Sequence, residues 1–288
     1  MIVSGSTKIV GIVGYPVAHS VSPQMHNAAF EHLGLDWEYI PFEIHPEDLK
    51  KGIDGLRAEG VLGFNVTIPH KEAIIPLLDE VTKLPRLIGA VNTVKNENGK
   101  LVGYNTDGAG FVDSLKFDAG VDPKEKNVVL LGAGGAAKAV AVMLAETGAA
   151  SISITDIDEK KADDLSAHVG SHFNSKICSL KTGSADLAAA ISNADIVVNA
   201  TPIGMHPKEN ECPIAESSGL RAESIVFDLI YNPPETKLMK LAKEKGAKAV
   251  NGLGMLVRQG AISLSIWTDH DAPVDVMLKA AKEALGIK

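Results

Sequence analysis

The sequence predicts a two-domain α/β protein, and three observations carry that prediction. A chain of 288 residues is long for one compact domain and comfortable for two. Its short apolar runs alternate with amphipathic stretches in βαβ order, which implies a mainly parallel sheet. A glycine turn, GAGGAA at Gly132–Ala137, restarts the alternation in mid-chain and opens a second, Rossmann-like domain.

Taken in order, KIVGIVG (Lys8–Gly14) reads as a buried strand. A helix follows over Ser22–Leu33, with Ser22 as N-cap, Pro23 in the first turn, and Met25, Ala28, Ala29 and Leu33 at helical spacing. WEYIPFE (Trp37–Glu43) is a second strand, Pro46–Glu59 a second helix and Gly63–Val66 a third strand. The polar stretch Asp118–Lys126 approaches a domain boundary. NVVLLG (Asn127–Gly132) is the strand before the glycine turn, and an Ala-rich helix runs from there to Gly148. SISIT (Ser151–Thr155), ADIVVNAT (Ala194–Thr201) and SIVFDLIY (Ser224–Tyr231) supply later strands, and Gly254–Lys288 reads as two helices. No repeat or low-complexity tract interrupts the pattern.

Composition narrows the class. Hydrophobic residues at 45% and charged residues at 22% are the balance of a globular protein. A net charge of −8 without Lys/Arg blocks argues against nucleic acid and anionic membrane as partners, and leaves any anionic ligand to local groups. Cys178 and Cys212 form no CxxC or metal-spaced cluster, His19 and His26 have no ligand-spaced partner, and no metal is expected. Reduced thiols, the absence of a signal-peptide pattern in Met1–Thr7 and of an apolar run near the ~20 residues that span a bilayer predict a cytoplasmic protein. Monomer and homodimer both remain open.

The glycine turn has the strand–turn–helix context that a dinucleotide site requires. Gly132 permits the tight turn, Gly134 lets backbone approach a pyrophosphate, and Ala137 lets the helix sit close to the strand. Amides at the helix start, over Gly132, Ala133, Gly134, Gly135 and Ala136, then meet the phosphate charge. In this fold an acidic residue roughly 20 positions on takes the adenosine ribose hydroxyls. Asp156 fits, while Asp158 suits a helix cap. No Arg follows Asp156, so NAD is favoured, with NADP still open.

The first third of the chain carries polar residues where ligands of open α/β sheets sit, at strand ends. FNVTIPHK places Asn65, Thr67 and Lys71 there, GAVNTV puts Asn92 inside an apolar run, and GYNTDG puts Asp107 after another strand. An alcohol oxidised by hydride transfer needs a group to take its proton, and Lys71 and Asp107 are candidates. Each also has a plain structural reading. Lys71 can open a solvated helix, Asp107 can cap a helix running to Lys116, Thr67 can be strand surface, and Asn92 can bond backbone alone. His70 reads as a surface histidine. Ser20 and Ser22, ahead of a helix, suit a carboxylate; the plain alternative is that Ser22 only caps.

Together HSVSPQMHN, FNVTIPHK, IGAVNTV, GYNTDGAGF, GAGGAA, NATPIGM, FDLIYNPPET and NGLGMLVRQGA resemble the shikimate dehydrogenase family, including its quinate/shikimate branch, in order and over nearly the whole chain. The resemblance implies reversible reduction of 3-dehydroshikimate to shikimate, a step of aromatic amino acid biosynthesis. It implies a substrate domain over 1–107, a Rossmann-like cofactor domain over 108–250, and C-terminal helices over 251–288 that return to the first domain. By matching motif, Lys71 and Asp107 are the implied catalytic pair. Ser20 and Ser22 hold the carboxylate with Tyr231 beside it, and Asn65, Thr67, Asn92 and Gln259 hold ring hydroxyls. Thr201, Met205 and Gly252 line the cofactor pocket. NADP-specific members usually carry Asn-Arg-Ser/Thr where this chain has Asp156-Ile157-Asp158, a pattern similar to the NAD-using branch. Thr82–Leu87 also departs from the family pattern. Two alternatives stand beside this reading: an NAD-dependent quinate/shikimate dehydrogenase of quinate catabolism, and a non-catalytic NAD-binding regulator on the same fold.

Overall fold

The structure is a computed structural model describing residues 3–216 and 219–287. Met1 and Lys288, where the expected first domain opens and the expected tail closes, lie outside the described residues. The chain forms two compact units, Met1–Gly110 with Val257–Lys288, and Phe111–Leu256. The Asp118–Lys126 stretch therefore lies inside the second unit.

In the first unit, β1 (Lys8–Gly14), α1 (Ser22–Leu33), β2 (Trp37–Glu43), α2 (Leu49–Ala58) and β3 (Gly63–Val66) follow the expected order. A 3₁₀ turn at Pro46–Asp48 precedes α2, so that helix starts later than Pro46. The chain continues through β4 (Glu80–Val81), α3 (Lys83–Ile88), β5 (Thr93–Glu97), β6 (Lys100–Tyr104) and the start of α4 (Asp107–Ser114). Among the described residues the sheet has six strands in the order β2-β1-β3-β5-β6-β4. β1 is parallel to β2 and β3, and β4 to β6, while β5 runs antiparallel to β3 and β6.

The β5–β6 hairpin closes on Asn98-Gly99, both at positive φ (54° and 93°), with Glu97 opposite Lys100. Such a two-residue turn matches the twist of its strands. Its consequence is positional. β5 lies between β3 and β6 and runs against both, so its first residues share one sheet edge with the carboxyl ends of β3 and β6. The apolar face packs Val13, Ile53, Phe64, Val66, Ile74, Val91, Val94 and Leu101 into one core.

The second unit runs β7 (Asn127–Leu131), α5 (Gly135–Glu146), β8 (Ser151–Thr155), α6 (Glu159–Gly170), β9 (Lys176–Ser179), α7 (Ala185–Asn193), β10 (Ile196–Asn199), β11 (Ile225–Asp228), α8 (Lys237–Glu244) and β12 (Lys248–Asn251). Its strands, in the order β12-β11-β10-β7-β8-β9, are all parallel. This is a doubly wound sheet whose order reverses between β7 and β10, the point where such folds bind ligands. The expected strands at 194–201 and 224–231 are shorter than their apolar runs, because each carboxyl end breaks into a hydrogen-bonded loop. β9 and β12 are short, partly exposed edge strands whose sequences carry little alternation. The expected tail helices are α9 (Leu253–Thr268) and α10 (Val274–Ala284).

Candidate active site

The first unit's polar residues converge on the edge that the β5 hairpin creates. Lys71 follows β3, Asn92 precedes β5 and Asp107 follows β6. Lys71 Nζ donates to Asp107 Oδ2 at 2.6 Å, and Asn92 Nδ2 donates to Asp107 Oδ1 at 2.9 Å. The lysine side chain is 27% exposed and that of the aspartate 12%, so this charge-assisted bond is mostly withdrawn from water. Lys71 does not open an α-helix. It lies in a turn, and its carbonyl accepts the Val91 N–H at 2.8 Å, which anchors its backbone to the segment leading into β5. Asp107 does not act as N-cap either. It is the first residue of α4, and its own N–H is taken by Asn105 Oδ1 at 3.1 Å, leaving the carboxylate free to face Lys71.

Asn92 is buried, and it bonds far more than backbone. The Thr106 N–H, which can only donate, reaches Asn92 Oδ1 at 2.8 Å and so fixes which end of the amide is which. Nδ2 then faces Thr106 Oγ1 at 2.9 Å, Asp107 Oδ1 at 2.9 Å and Gln259 Oε1 at 3.3 Å. Asn65 is buried one layer away. It takes the Tyr39 hydroxyl on Oδ1 at 2.8 Å and directs Nδ2 to Thr93 Oγ1 and Ser263 Oγ, each at 3.0 Å. Thr67 is half-buried just beyond β3, its N–H on the Val13 carbonyl at 2.9 Å.

Ser22 is not the N-cap of α1. Val21 holds that position without a side-chain bond, and Ser20 Oγ accepts the Ser22 N–H at 3.2 Å. Ser22 is itself buried and reaches the Tyr39 phenol, whose pKa is raised by burial and pulled back by that bond. His26 stacks on Tyr39 at 4.2 Å, and burial lowers its pKa to about 4 against the hydrogen bonds of its ring to the Ser22 and Gly260 carbonyls. His70 is a buried residue rather than a surface one, its Nε2 at 2.7 Å from the Ile44 carbonyl. Sequence reasoning missed Tyr39, Thr93, Thr106 and Ser263. Thr93 and Thr106 adjoin named residues and Ser263 lies one helical turn after Gln259, so those three carried a signal. Tyr39 carried none.

In the second unit the glycine turn has the shape a dinucleotide needs. Gly132 sits at φ 103°, and a Cβ there would lie 2.9 Å from the Ala200 carbonyl oxygen. A Cβ at Gly134 or Gly135 would meet nothing within 4 Å, so the α5 amino terminus opens onto free space. Ala137 is fully buried, as close helix–strand packing demands. Asp156, at the end of β8, accepts the Ala133 N–H on Oδ2 at 2.8 Å and the Asp158 N–H on Oδ1 at 2.9 Å. Asp158 is the N-cap of α6 by position, without a side-chain cap bond. Thr201 donates to Asn199 Oδ1 at 2.7 Å, and Met205 is 43% exposed. A Cβ on Gly252 would come 2.0 Å from the Leu229 carbonyl oxygen, so only glycine lets β12 end against that backbone. Tyr231 is half-buried, and burial raises its phenol pKa. These residues fit a nicotinamide dinucleotide. Among the described residues no cluster of three metal-ligating side chains occurs, and no helix is long and apolar enough to cross a membrane.

A doubly wound parallel sheet with this glycine turn, in one chain with a second α/β unit that gathers a lysine and a carboxylate at a sheet edge, defines a nicotinamide-linked oxidoreductase class. Comparison with known proteins resolves the family. The model of the shikimate dehydrogenase substrate binding domain matches residues 12–94 and that of the shikimate 5'-dehydrogenase C-terminal domain matches 252–282. Residues 128–212 match the saccharopine dehydrogenase NADP binding domain. A shikimate dehydrogenase (NADP(+)) from Desulforamulus reducens is 45% identical over 96% of this chain and 94% of its own. The structure of shikimate 5-dehydrogenase from Listeria monocytogenes with shikimate and NAD is 38% identical, with a TM-score of 0.92 over 96% of this chain and 97% of that one. Quinate dehydrogenase from Corynebacterium glutamicum with NAD is 30% identical, with a TM-score of 0.88 over 95% of this chain and 98% of that one. The chain belongs to the shikimate dehydrogenase family.

Proposed function

We propose that the chain catalyses the reversible, nicotinamide-dependent reduction of 3-dehydroshikimate to shikimate. The observation that carries this reading is the Lys71–Asp107 ion pair at 2.6 Å, shielded from water and held by Asn92. A merely binding or regulatory chain has no need of a proton donor fixed in this way, which disfavours the regulator reading. The nicotinamide, when bound, supplies the hydride in one direction and takes it in the other. The rest falls to the chain. As the substrate carbonyl becomes a hydroxyl, the Lys71 ammonium gives its proton to the carbonyl oxygen and is left as the neutral amine. In oxidation that amine takes the hydroxyl proton back. Asp107 orients the ammonium and accepts from a neighbouring substrate hydroxyl.

Ser20, Ser22 and Tyr231 are the carboxylate ligands in this reading. Asn65, Thr67, Asn92 and Gln259 bind the ring hydroxyls. Residues 132–136 carry the pyrophosphate, Asp156 the adenosine ribose, and Thr201, Met205 and Gly252 the nicotinamide half. The first unit is thus the substrate domain and the second the cofactor domain. NAD is the preferred cofactor. Asp156 offers a carboxylate where a 2′-phosphate would need a cation, and the next side chain is Ile157, 87% exposed and uncharged. The same pattern resembles that of the NAD-using quinate/shikimate branch, so quinate is the second acid to offer. Absorbance at the NADH band, with shikimate and quinate each offered with NAD and NADP, tests these points together. Turnover of neither acid removes the proposal, and a higher kcat/KM with quinate moves the chain to the quinate reading.

A further inference from the structure

Asp228 ends β11 with no exposed surface. Its Oδ1 accepts from Asn199 Nδ2 at 3.0 Å and from the Ile230 N–H at 3.1 Å, and its Oδ2 accepts from Thr236 Oγ1 at 2.7 Å. All three donors are neutral. The Thr236 oxygen also accepts the Met239 N–H at 3.3 Å, which ties it to the start of α8. The carboxyl group is ringed by three hydrogen-bond donors, an arrangement that favours its anionic form. Burial holds its pKa above the usual carboxylate value, and the bonds from Thr236, Ile230 and Asn199 oppose that rise.

The place of this anion is specific. Asn199, which donates to it, ends β10 and accepts both the N–H and the hydroxyl of Thr201 through Oδ1, at 3.0 and 2.7 Å. Gly252 lies against the backbone of Leu229, the residue after Asp228, and donates its N–H to Ile230 at 3.1 Å. Asp228 therefore joins the loops that follow β10, β11 and β12. In a doubly wound sheet the ligand lies outside the carboxyl ends of the strands, and the half opposite the glycine turn receives the second nucleotide. That nucleotide is the nicotinamide, a cation when oxidised and neutral when reduced.

Resting on the reading that this unit holds a nicotinamide dinucleotide, we propose that Asp228 is a fixed negative charge that biases the site toward the oxidised, cationic cofactor over the reduced one. In a partly dry site a single charge of this kind is worth roughly tenfold in the ratio of the two affinities.

The test is a binding measurement on the whole chain, with dissociation constants for NAD+ and NADH obtained by titration calorimetry without substrate. Asp228→Asn removes the charge and nearly keeps the shape. It should weaken NAD+ relative to NADH by roughly tenfold. Thr236→Val keeps the charge and disturbs the same loop. It should weaken both forms alike and leave the ratio unchanged. The proposal fails if Asp228→Asn weakens both forms equally. It also fails if Thr236→Val moves the ratio as far as the charge removal should, an outcome that can be read even where Asp228→Asn does not fold. If the unaltered chain binds neither form, the dinucleotide reading itself falls, and that outcome is distinct from binding with an unmoved ratio.

Discussion

Replacing Lys71 by alanine separates proton transfer from binding. The substitution removes the 2.6 Å bond to Asp107 and leaves that carboxylate with Asn92 Nδ2 and water. With the two groups 27% and 12% exposed, the lost charge-assisted bond costs about 1.5–3 kcal/mol of stability, less than a typical fold's margin of about 5–15 kcal/mol. The variant should therefore remain folded. The kinetic loss is larger. A positioned general acid–base contributes about 10²–10⁴ in rate, or roughly 3–5 kcal/mol of barrier. Initial rates at the NADH band should show kcat falling by that factor, with KM for shikimate changed much less. Ser22→Ala, which touches the proposed carboxylate site, should show the reverse, a raised KM and nearly intact kcat. Lys71→Arg sharpens the comparison, because an arginine keeps the charge but does not give up its proton. If Lys71→Arg restores kcat, or if Lys71→Ala and Ser22→Ala behave alike, Lys71 is a binding residue and the proposed chemistry is wrong.

Asp156→Asn combined with Ile157→Arg should shift the kcat/KM ratio from NAD toward NADP, since it removes a repulsion and adds a phosphate partner; an unmoved ratio would mean that other contacts set the preference. His26 gives a pH prediction. Its folded pKa of about 4 lies below the ordinary histidine value of 6.5, so between those values the unfolded chain binds a proton that the folded one does not. Stability contributed by the neutral ring is present above pH 6.5 and falls by about 3 kcal/mol as pH drops toward 4. Urea unfolding at a series of pH values should show this slope, and His26→Gln, packed against the same Tyr39, Phe30 and Trp267, should flatten it.

What could be read from the sequence, and what could not, comes down to range. The glycine turn, the α5 packing at Ala137 and the position of Asp156 are local features within one βαβ unit, and periodicity with turn chemistry reaches that far. Lys71, Asn92 and Asp107 were each visible as polar residues in costly places, but their meeting depends on strand order. Helix starts misled for a related reason. Ser22 and Asp107 carry the right side chains for caps, yet Ser20 and Asn105, each two residues upstream, take the first amides and leave the named residues free. His70 looked exposed because its neighbours Pro69 and Lys71 are polar or turn-forming, and only the fold supplies the Ile44 carbonyl that buries its ring.

The candidate site itself turns on the direction of one strand, β5. The alternation of strands and helices argued for a parallel sheet, and a β5 parallel to β3 would have carried Asn92 to the edge opposite Lys71. Asn98-Gly99 fixes one half of the actual arrangement. Both residues take positive φ, the condition for a tight two-residue hairpin, so β6 must return antiparallel beside β5. With β5 between β3 and β6 and opposed to both, Asn92 opens its strand where Lys71 and Asp107 follow theirs. A lysine and an aspartate 36 positions apart in the chain then close to a 2.6 Å bond. The signal was present in the sequence as an Asn-Gly between Glu97 and Lys100. Its reach was not, because a turn specifies only the two strands it joins, and the placement of β5 against β3 is fixed by the apolar face that Phe64, Val66, Val91 and Val94 share. The chemistry proposed for this chain therefore rests on a local turn and a non-local core acting on the same strand.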